Sequence, residues 1–288
     1  MQNAEMKKDM KMVRKWIVLF ALIAALLNGI QSASACTIFN VSGNGMMLVG
    51  NNEDHDDPNG EVRFDPASEG KYGKITFVFG PFTQGGMNEH GLFFDFYAAA
   101  DFKMCPLIPG QLLPSGEMPE KDPTLEEMWK IYTQYDVASK KMLETCATVE
   151  EAISFYQRYY EGTFGYGYAM VADKTGVSAT LTWDWEQNQM RVTRKNGNFQ
   201  VTGIGSKYIY PLFNAGKYEV SVDFFRETLK KTSIDMTAYS NIYDLQQGII
   251  YLYNQGDFDH VVQLDIKQEL AKGSYSIYLK DLFGVMKQ

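Results

Sequence analysis

Hydrophobic and polar positions change rhythm several times along this chain. Residues 16–27, WIVLFALIAALL, are an unbroken apolar run. Lys7, Lys8, Lys11, Arg14 and Lys15 precede it, and GIQSASA follows it, with Ala33 and Ala35 in A-x-A spacing. That order is the pattern of a secretory signal peptide cut before Cys36. The run is short of the roughly 20 residues that a membrane span needs, and an uncleaved N-terminal anchor is the competing reading. From Cys36 the period becomes two. CTIFNVS (36–42) and MMLVGNN (46–52) flank GNG, the pattern of a β-hairpin. KITFVFG (74–80) is a further strand, and GGMNEHGLFFDFYAA (85–99) reads as strand, turn at NEHG, strand. The Pro- and Gly-rich segment 105–123 lacks apolar periodicity and reads as an excursion over the surface, in the manner of a lid.

Helical spacing takes over at 124–143 and 148–160, the second opening on Thr148 with Glu151 three residues on, a capping box. Alternation returns at 165–173, 177–185, 190–195 and 199–204, with turns at KTG and NG, as in an antiparallel meander. Two more helices are expected near 219–231 and 236–251. A final hairpin is expected from FDHVVQLDIK and YSIYLKDLF around AKG (271–273). Strands, helices, strands and helices in turn predict an α+β fold of antiparallel sheets with helices packed outside.

Composition sharpens this. A chain starting at Cys36 would hold 253 residues, which suits one large domain or two small ones, and 45% of the sequence is hydrophobic. The chain carries −8 and residues 1–35 carry +3, so the remainder carries −11. Such a balance repels phosphate backbones and argues against nucleic acid as a partner. The cysteines are Cys36, Cys105 and Cys146. Cys105 and Cys146 either pair or are two buried thiols, and both readings leave Cys36 over.

A cysteine at a new N-terminus carries two useful groups, a thiol of pKa about 8.5 and an α-amine of about 7.7. The amine can take the thiol proton, so one residue holds nucleophile and base. The signal-peptide grammar puts the cut where this chemistry needs it. A cysteine after small residues is also a site of lipid attachment, although Ala33 stands where a lipoprotein signal usually has a Leu-like residue. A third reading makes Cys36 an ordinary buried strand residue.

CTIF (36–39), GNNED (50–54) and GGMNEHGLFF (85–94) resemble the N-terminal-nucleophile amide hydrolases, namely choloylglycine hydrolase with penicillin V acylase and the related acyltransferase/carcinine-hydrolase group. The resemblance covers most of 36–205. With residues 1–35 read as signal peptide, it implies 36–288 as one hydrolase-like domain, an α+β four-layer αββα sandwich of two antiparallel sheets. It also implies attack by Cys36 on a linear amide and an acyl-thioester that water then hydrolyses. Asp54 maps to the aspartate that holds the nucleophile's amine or a neighbouring arginine, and Asn52 to the asparagine of the same motif.

The departures are specific. Asn51 stands where bile-salt and penicillin V enzymes have arginine, which makes Arg63 the nearest candidate for charge compensation. Gly203 stands where an oxyanion-hole asparagine is expected, with Asn214 and Asn241 as substitutes; one missing donor of this kind costs about 100- to 1,000-fold in rate. Asp95 and Tyr97 fall at the pocket-shaping positions, and Asp95 disfavours bile-acid anions. The expected substrate is a linear amide: an N-acyl amino acid or acylated amine, or, less favoured by Asn51 and Asp95, a bile-salt-like or penicillin V-like amide. No cofactor is required, because sulfur carries the acyl group. The expected protein is exported and has no membrane span after processing, and a homo-oligomer is compatible. The alternative is a surface lipoprotein, lipidated at Cys36, that binds a ligand on a non-catalytic version of the fold.

Other motifs read as structural. NEDHDD (52–57) is an acidic loop rather than an ordered calcium loop, so no metal site is expected. His90 belongs to a turn and His260 to a strand surface. Asn88 and Gly91 shape the hairpin. The aromatic runs YGYAM, WDW and YIY pack sheets and helices or line an acyl pocket.

Overall fold

Asn44 and Gly45 take positive φ values of 52° and 75°, the two-residue turn that the strand twist favours. They close the hairpin of β1 (Thr37–Gly43) and β2 (Met46–Asp54), from which the rest of the architecture can be followed. The computed structural model describes residues 36–284 except 56, 58, 59, 100, 101, 135–137 and 204. The apolar run at 16–27 and its cleavage signal lie outside the described residues. Among those described, no helix is long and apolar enough to cross a membrane.

The second sheet begins with β3 (Glu61–Asp65), β4 (Lys74–Phe79), β5 (Phe82–Asn88) and β6 (Leu92–Ala98). Helices α1 (Leu125–Gln134), α2 (Ala138–Thr145) and α3 (Val149–Arg158) follow. The meander is β7 (Gly167–Asp173), β8 (Ser178–Asp184) and β9 (Gln189–Arg194); the fourth strand expected in it, β10 (Phe199–Gly203), crosses to the other sheet and pairs with β1. Then come α4 (Ser206–Asn214), α5 (Val222–Thr232), β11 (Thr237–Asp244), β12 (Ile249–Asn254), β13 (Asp257–Asp265), α6 (Ile266–Leu270), β14 (Tyr275–Tyr278) and α7 (Leu279–Gly284).

These make two antiparallel sheets, a six-stranded one ordered β10-β1-β2-β11-β12-β13 and an eight-stranded one ordered β14-β3-β4-β5-β6-β7-β8-β9. Apolar side chains form separate layers. Ile38, Val49, Phe77, Phe93, Met170 and Tyr243 fill the space between the sheets. Phe39, Leu48, Ile209, Phe213 and Phe225 bind α4 and α5 to the outside of the six-stranded sheet. Phe94, Met142, Ile153, Tyr156 and Leu181 bind α2 and α3 to the outside of the other. The result is the expected four-layer αββα sandwich.

Several elements differ from the sequence reading. The helix expected at 236–251 is the β11–β12 hairpin. All eight residues of β11 are buried, so a central strand covered on both faces shows no alternation to distinguish it from a buried helix. Its turn is built by Asp244, whose Oδ1 accepts from the amides of Gln246 (3.1 Å) and Gln247 (3.0 Å). The helix expected at 124–143 is two, α1 and α2. β14 does not form a hairpin with the preceding strand; it pairs with β3 across the other sheet. β3 and α4 were not anticipated. Cys105 and Cys146 are separate buried free thiols, and the Cys105 Sγ donates to the Glu161 carbonyl at 3.3 Å.

Asn88 ties the β5–β6 hairpin to α2. Its Nδ2 donates to the carbonyls of Leu143 (2.9 Å) and Cys146 (2.7 Å), and its Oδ1 accepts from the amides of His90 (3.1 Å) and Leu92 (3.0 Å). Truncation leaves these buried groups unpaired. Asn88→Ala is expected to lose about 2–4 kcal/mol in urea denaturation, and a loss under 1 kcal/mol would contradict the clamp.

Candidate active site

Pairing of Thr37 with Asn52 continues outward to set Cys36 opposite Glu53. Side chains alternate across a sheet, so Cys36, Asn51 and Glu53 face the inter-sheet space with Ile38 and Val49. Asn52 and Asp54 face the other way. Tyr239 and Asn241 of β11 lie across from Glu53 and Asn51. From the opposite sheet β6 contributes Asp95, which adjoins Glu53 closely enough to shift its carboxyl.

The site opens where two strands part. β5 and β6 pair only through Gly85–Asp95, Gly86–Phe94 and Met87–Phe93, although β5 begins at Phe82 and β6 runs on to Ala98. A cavity of about 250 Å³ occupies the divergence. Cys36 and Glu53 line it, with Phe82, Phe94 and Phe96 among its walls and Glu161 farther along. Phe102 and Tyr166, stacked at 4.3 Å between ring centres, complete the aromatic wall. Gly85 makes room for Asp95: a Cβ at Gly85 would lie 2.3 Å from the Asp95 Oδ2.

Cys36 is 4% exposed. Burial pushes its thiol well above the ordinary range, and Glu53, Asp95 and Asp54 push the same way. The Asp54 backbone amide opposes them by donating to the sulfur. Burial also raises the Glu53 carboxyl to about 8, against hydrogen bonds from Asn51 and Cys36. Asn51 Nδ2 donates to Glu53 Oε2 at 3.5 Å. Burial lifts Asp54 to about 6, tempered by Thr237, whose hydroxyl donates to Oδ1 at 2.6 Å. Asp95 rises well above the usual carboxylate range through burial and the charge of Glu53, partly offset by the Phe96 amide. Neither Asp95 oxygen has a side-chain or fully formed backbone hydrogen bond among the described residues, and Asn51 Oδ1, Asn241 Oδ1 and the Tyr239 hydroxyl share that condition. The pocket floor is therefore a buried, acidic and incompletely bonded cluster.

The structure brings together Cys36, Asn51, Asp95 and the Asp54 main chain. Tyr97 borders the group, stacked on Tyr168 at 5.4 Å and shifted upward by burial, Tyr168 and Cys36. Asn52 faces the outer helices: its Nδ2 donates to the Leu229 carbonyl and to Thr232 Oγ1, both at 3.0 Å, and its Oδ1 accepts from Ser240 at 2.6 Å. It fastens α5 to the sheet that carries Cys36. Arg63 lies on β3 with its guanidinium on Glu61 at 2.7 Å and 44% of its side chain exposed, and it is not among the charges acting on Cys36. Asn214 is an exposed residue at the end of α4. Asn241 Nδ2 donates to the Tyr243 hydroxyl at 2.9 Å. Gly203 pairs with Thr37, at φ 90°, so close that a Cβ would lie 2.0 Å from the Cys36 carbonyl oxygen. No side chain, asparagine included, fits there without displacing Cys36. His55 lines the cavity and stacks on Phe79 at 4.0 Å. His260 is an exposed partner of Asp257 at 2.9 Å.

Glu53 was not anticipated, yet its signal was present. A two-residue turn at Asn44–Gly45 fixes the hairpin register, and that register sets residue 53 across from residue 36.

No protein-family model and no curated protein matches the sequence. Solved structures do match. Two structures of variants of a conjugated bile acid hydrolase from Clostridium perfringens are 14% identical, with TM-scores of 0.59 and 0.58; the matches cover 84% and 85% of this chain and 96% of that protein. A penicillin V acylase from Agrobacterium tumefaciens is 13% identical with a TM-score of 0.53, over 85% of this chain and 90% of its own. The sandwich that the sequence resemblance implied is thus the fold these proteins have.

The raised carboxyls fix the sign of a pH effect. Folding holds a proton on Glu53 that the unfolded chain releases above its ordinary 4.5. That stabilisation is complete below pH 4.5 and is lost as pH rises through about 8. Asp54 contributes likewise from its ordinary 3.8 up to about 6. Thermal denaturation is expected to show Tm falling between pH 5 and pH 8.5, with a smaller fall in Glu53→Gln. An identical pH slope in the variant would contradict the assignment.

Proposed function

We propose that this protein is an exported cysteine N-terminal-nucleophile hydrolase that cleaves a linear amide C–N bond. The observation carrying the proposal is the position of Cys36: its thiol lies at the floor of an aromatic-walled cavity, beside the first strand of a fold shared with two amide hydrolases. In the reaction the Cys36 sulfur attacks the amide carbonyl. The S–C bond forms, the C–N bond breaks, and the amine leaves with the thiol's proton. Water then cleaves the thioester to a carboxylic acid and restores the thiol.

When the chain begins at Cys36, its own α-amine, of pKa about 7.7, is the base that carries this proton. The Asp54 amide supports the developing thiolate. The Asp54 carboxylate, held by Thr237, braces that amide and is positioned on the side of the sheet away from the cavity. Asn51 orients Glu53. Asp95 and Tyr97 form the substrate side of the site.

The burial of Cys36 favours a free thiol over the lipoprotein alternative, because a thioether lipid would have to leave an enclosed sulfur. Intact mass and N-terminal sequencing of the processed protein are expected to give an unmodified start at Cys36. A diacylglyceryl adduct there would sink the mechanism. In a screen of N-acyl amides, Cys36→Ala is expected to lose at least about 1,000-fold in kcat/KM, and wild-type turnover by that variant would falsify the assignment. Gly203→Ala, which drives a methyl group into the Cys36 carbonyl, is expected to lower kcat about 100-fold while the protein still folds by circular dichroism.

A further inference from the structure

The charge and the walls of the cavity point to the kind of molecule it accepts. Its described lining carries two carboxyl side chains, Glu53 and Glu161, and no lysine or arginine. The charged groups acting on Cys36 are Glu53, Asp95 and Asp54, all of one sign. Glu161 is 5% exposed, and its Oε1 accepts from the Thr163 amide (3.3 Å) and hydroxyl (2.8 Å). His55 is the one basic ring among the lining residues, and its Nδ1 is engaged by the Asp57 amide at 3.0 Å. Asp95 is fully buried at the point where β5 and β6 part, and the support its carboxyl has comes from the Phe96 amide, with no side-chain donor among the described residues. Between the acids stand the faces and edges of Phe82, Phe94, Phe96, Phe102 and Tyr166.

A cation favours the ionised form of a buried carboxyl and so draws off the proton that burial holds there, and aromatic faces attract it through the ring quadrupole. The same lining opposes a carboxylate or sulfonate, since like charges in a desolvated cleft repel. We propose that the cavity selects a linear amide carrying a compact alkylammonium group near the scissile bond. The inference rests on the amide-hydrolase reading for its reaction and on the lining alone for its binding. A bound cation also has a chemical consequence. Thiolate formation at Cys36 leaves the proton on the residue's own α-amine, and a bound ammonium adds a second positive charge beside the acidic cluster.

The test uses protein recovered after expression of the full chain in an exporting host. One substrate series varies the acyl side: the 4-aminobutyryl, pentanoyl and succinyl amides of a fluorogenic coumarin. The other varies the amine side: pentanoyl amides of 1,4-diaminobutane, pentylamine and 4-aminobutyrate. In one series the ammonium member is expected to exceed its neutral counterpart at least tenfold in kcat/KM, with the carboxylate member slowest; which series responds identifies the side that carries the charge. Glu161→Gln is expected to lower the ammonium-to-neutral ratio about fivefold. A neutral or carboxylate member that equals or beats the ammonium member in both series overturns the inference and leaves the hydrolase reading standing. Absence of any Cys36-dependent turnover overturns the hydrolase reading, and binding then decides the inference. A Tm rise with N-acetyl-1,4-diaminobutane and none with N-pentylacetamide supports it; an equal rise, or none with either, overturns it.

Discussion

The register of one hairpin governs this molecule. The turn at Asn44–Gly45 sets Thr37 against Asn52, and everything chemical follows from that pairing. It turns Cys36, Asn51 and Glu53 into the inter-sheet space and sends Asn52 and Asp54 to the helix side. A slip of one residue would exchange the two sets. Cys36 would then meet helix α5, and the sulfur would leave the cavity. The interactions on the outer face oppose such a slip, since Asn52 is bonded to Leu229, Thr232 and Ser240 at once. A residue far from the chemistry thus keeps the chemistry in register.

The second constraint is electrostatic. Acidic groups buried together cost free energy unless they are neutralised or paired. Elsewhere the protein pairs them. Lys74, itself buried, reaches Glu144 at 2.8 Å and Asp65 at 3.0 Å. Around Cys36, burial raises the carboxyls of Glu53, to about 8, and of Asp95, so that they retain protons at neutral pH instead. The contrast separates a structural cluster, whose charges are matched within the chain, from one that burial keeps largely protonated. It also explains why Asn51 and Asp95 belong together: an uncharged amide and a protonated carboxyl are compatible neighbours in a dry space.

Much of this was legible in the sequence. The alternation of 36–52 and 85–99, the capping box at Thr148 and the first three strands of the meander after Gly165 each appear where the residues put them, the fourth crossing to the other sheet, and the resemblance carried by CTIF and GNNED led to the right layers. β11 was not legible, because a strand buried on both faces loses its period. β3 was not, and β14 was expected but with the wrong partner, because a short edge pair is specified by its partner across the sheet. Within the site, Asn51, Asp95 and Tyr97 do come to Cys36. Asn52 does not, since adjacent residues on a strand point to opposite faces, and Arg63 is committed to Glu61. Glu53 is specified by the hairpin register rather than by the motif, whose aspartate is the next residue along.

The parting of β5 from β6 has a further meaning for how this site could change over evolutionary time. The bore of the cavity is a gap in a ladder of main-chain hydrogen bonds, so its width is set by how far two backbones diverge. Exchanging a wall residue alters polarity and charge more readily than calibre. A lineage built on this frame would diversify by repainting the walls, and a change of substrate size would require the strands themselves to be re-paired.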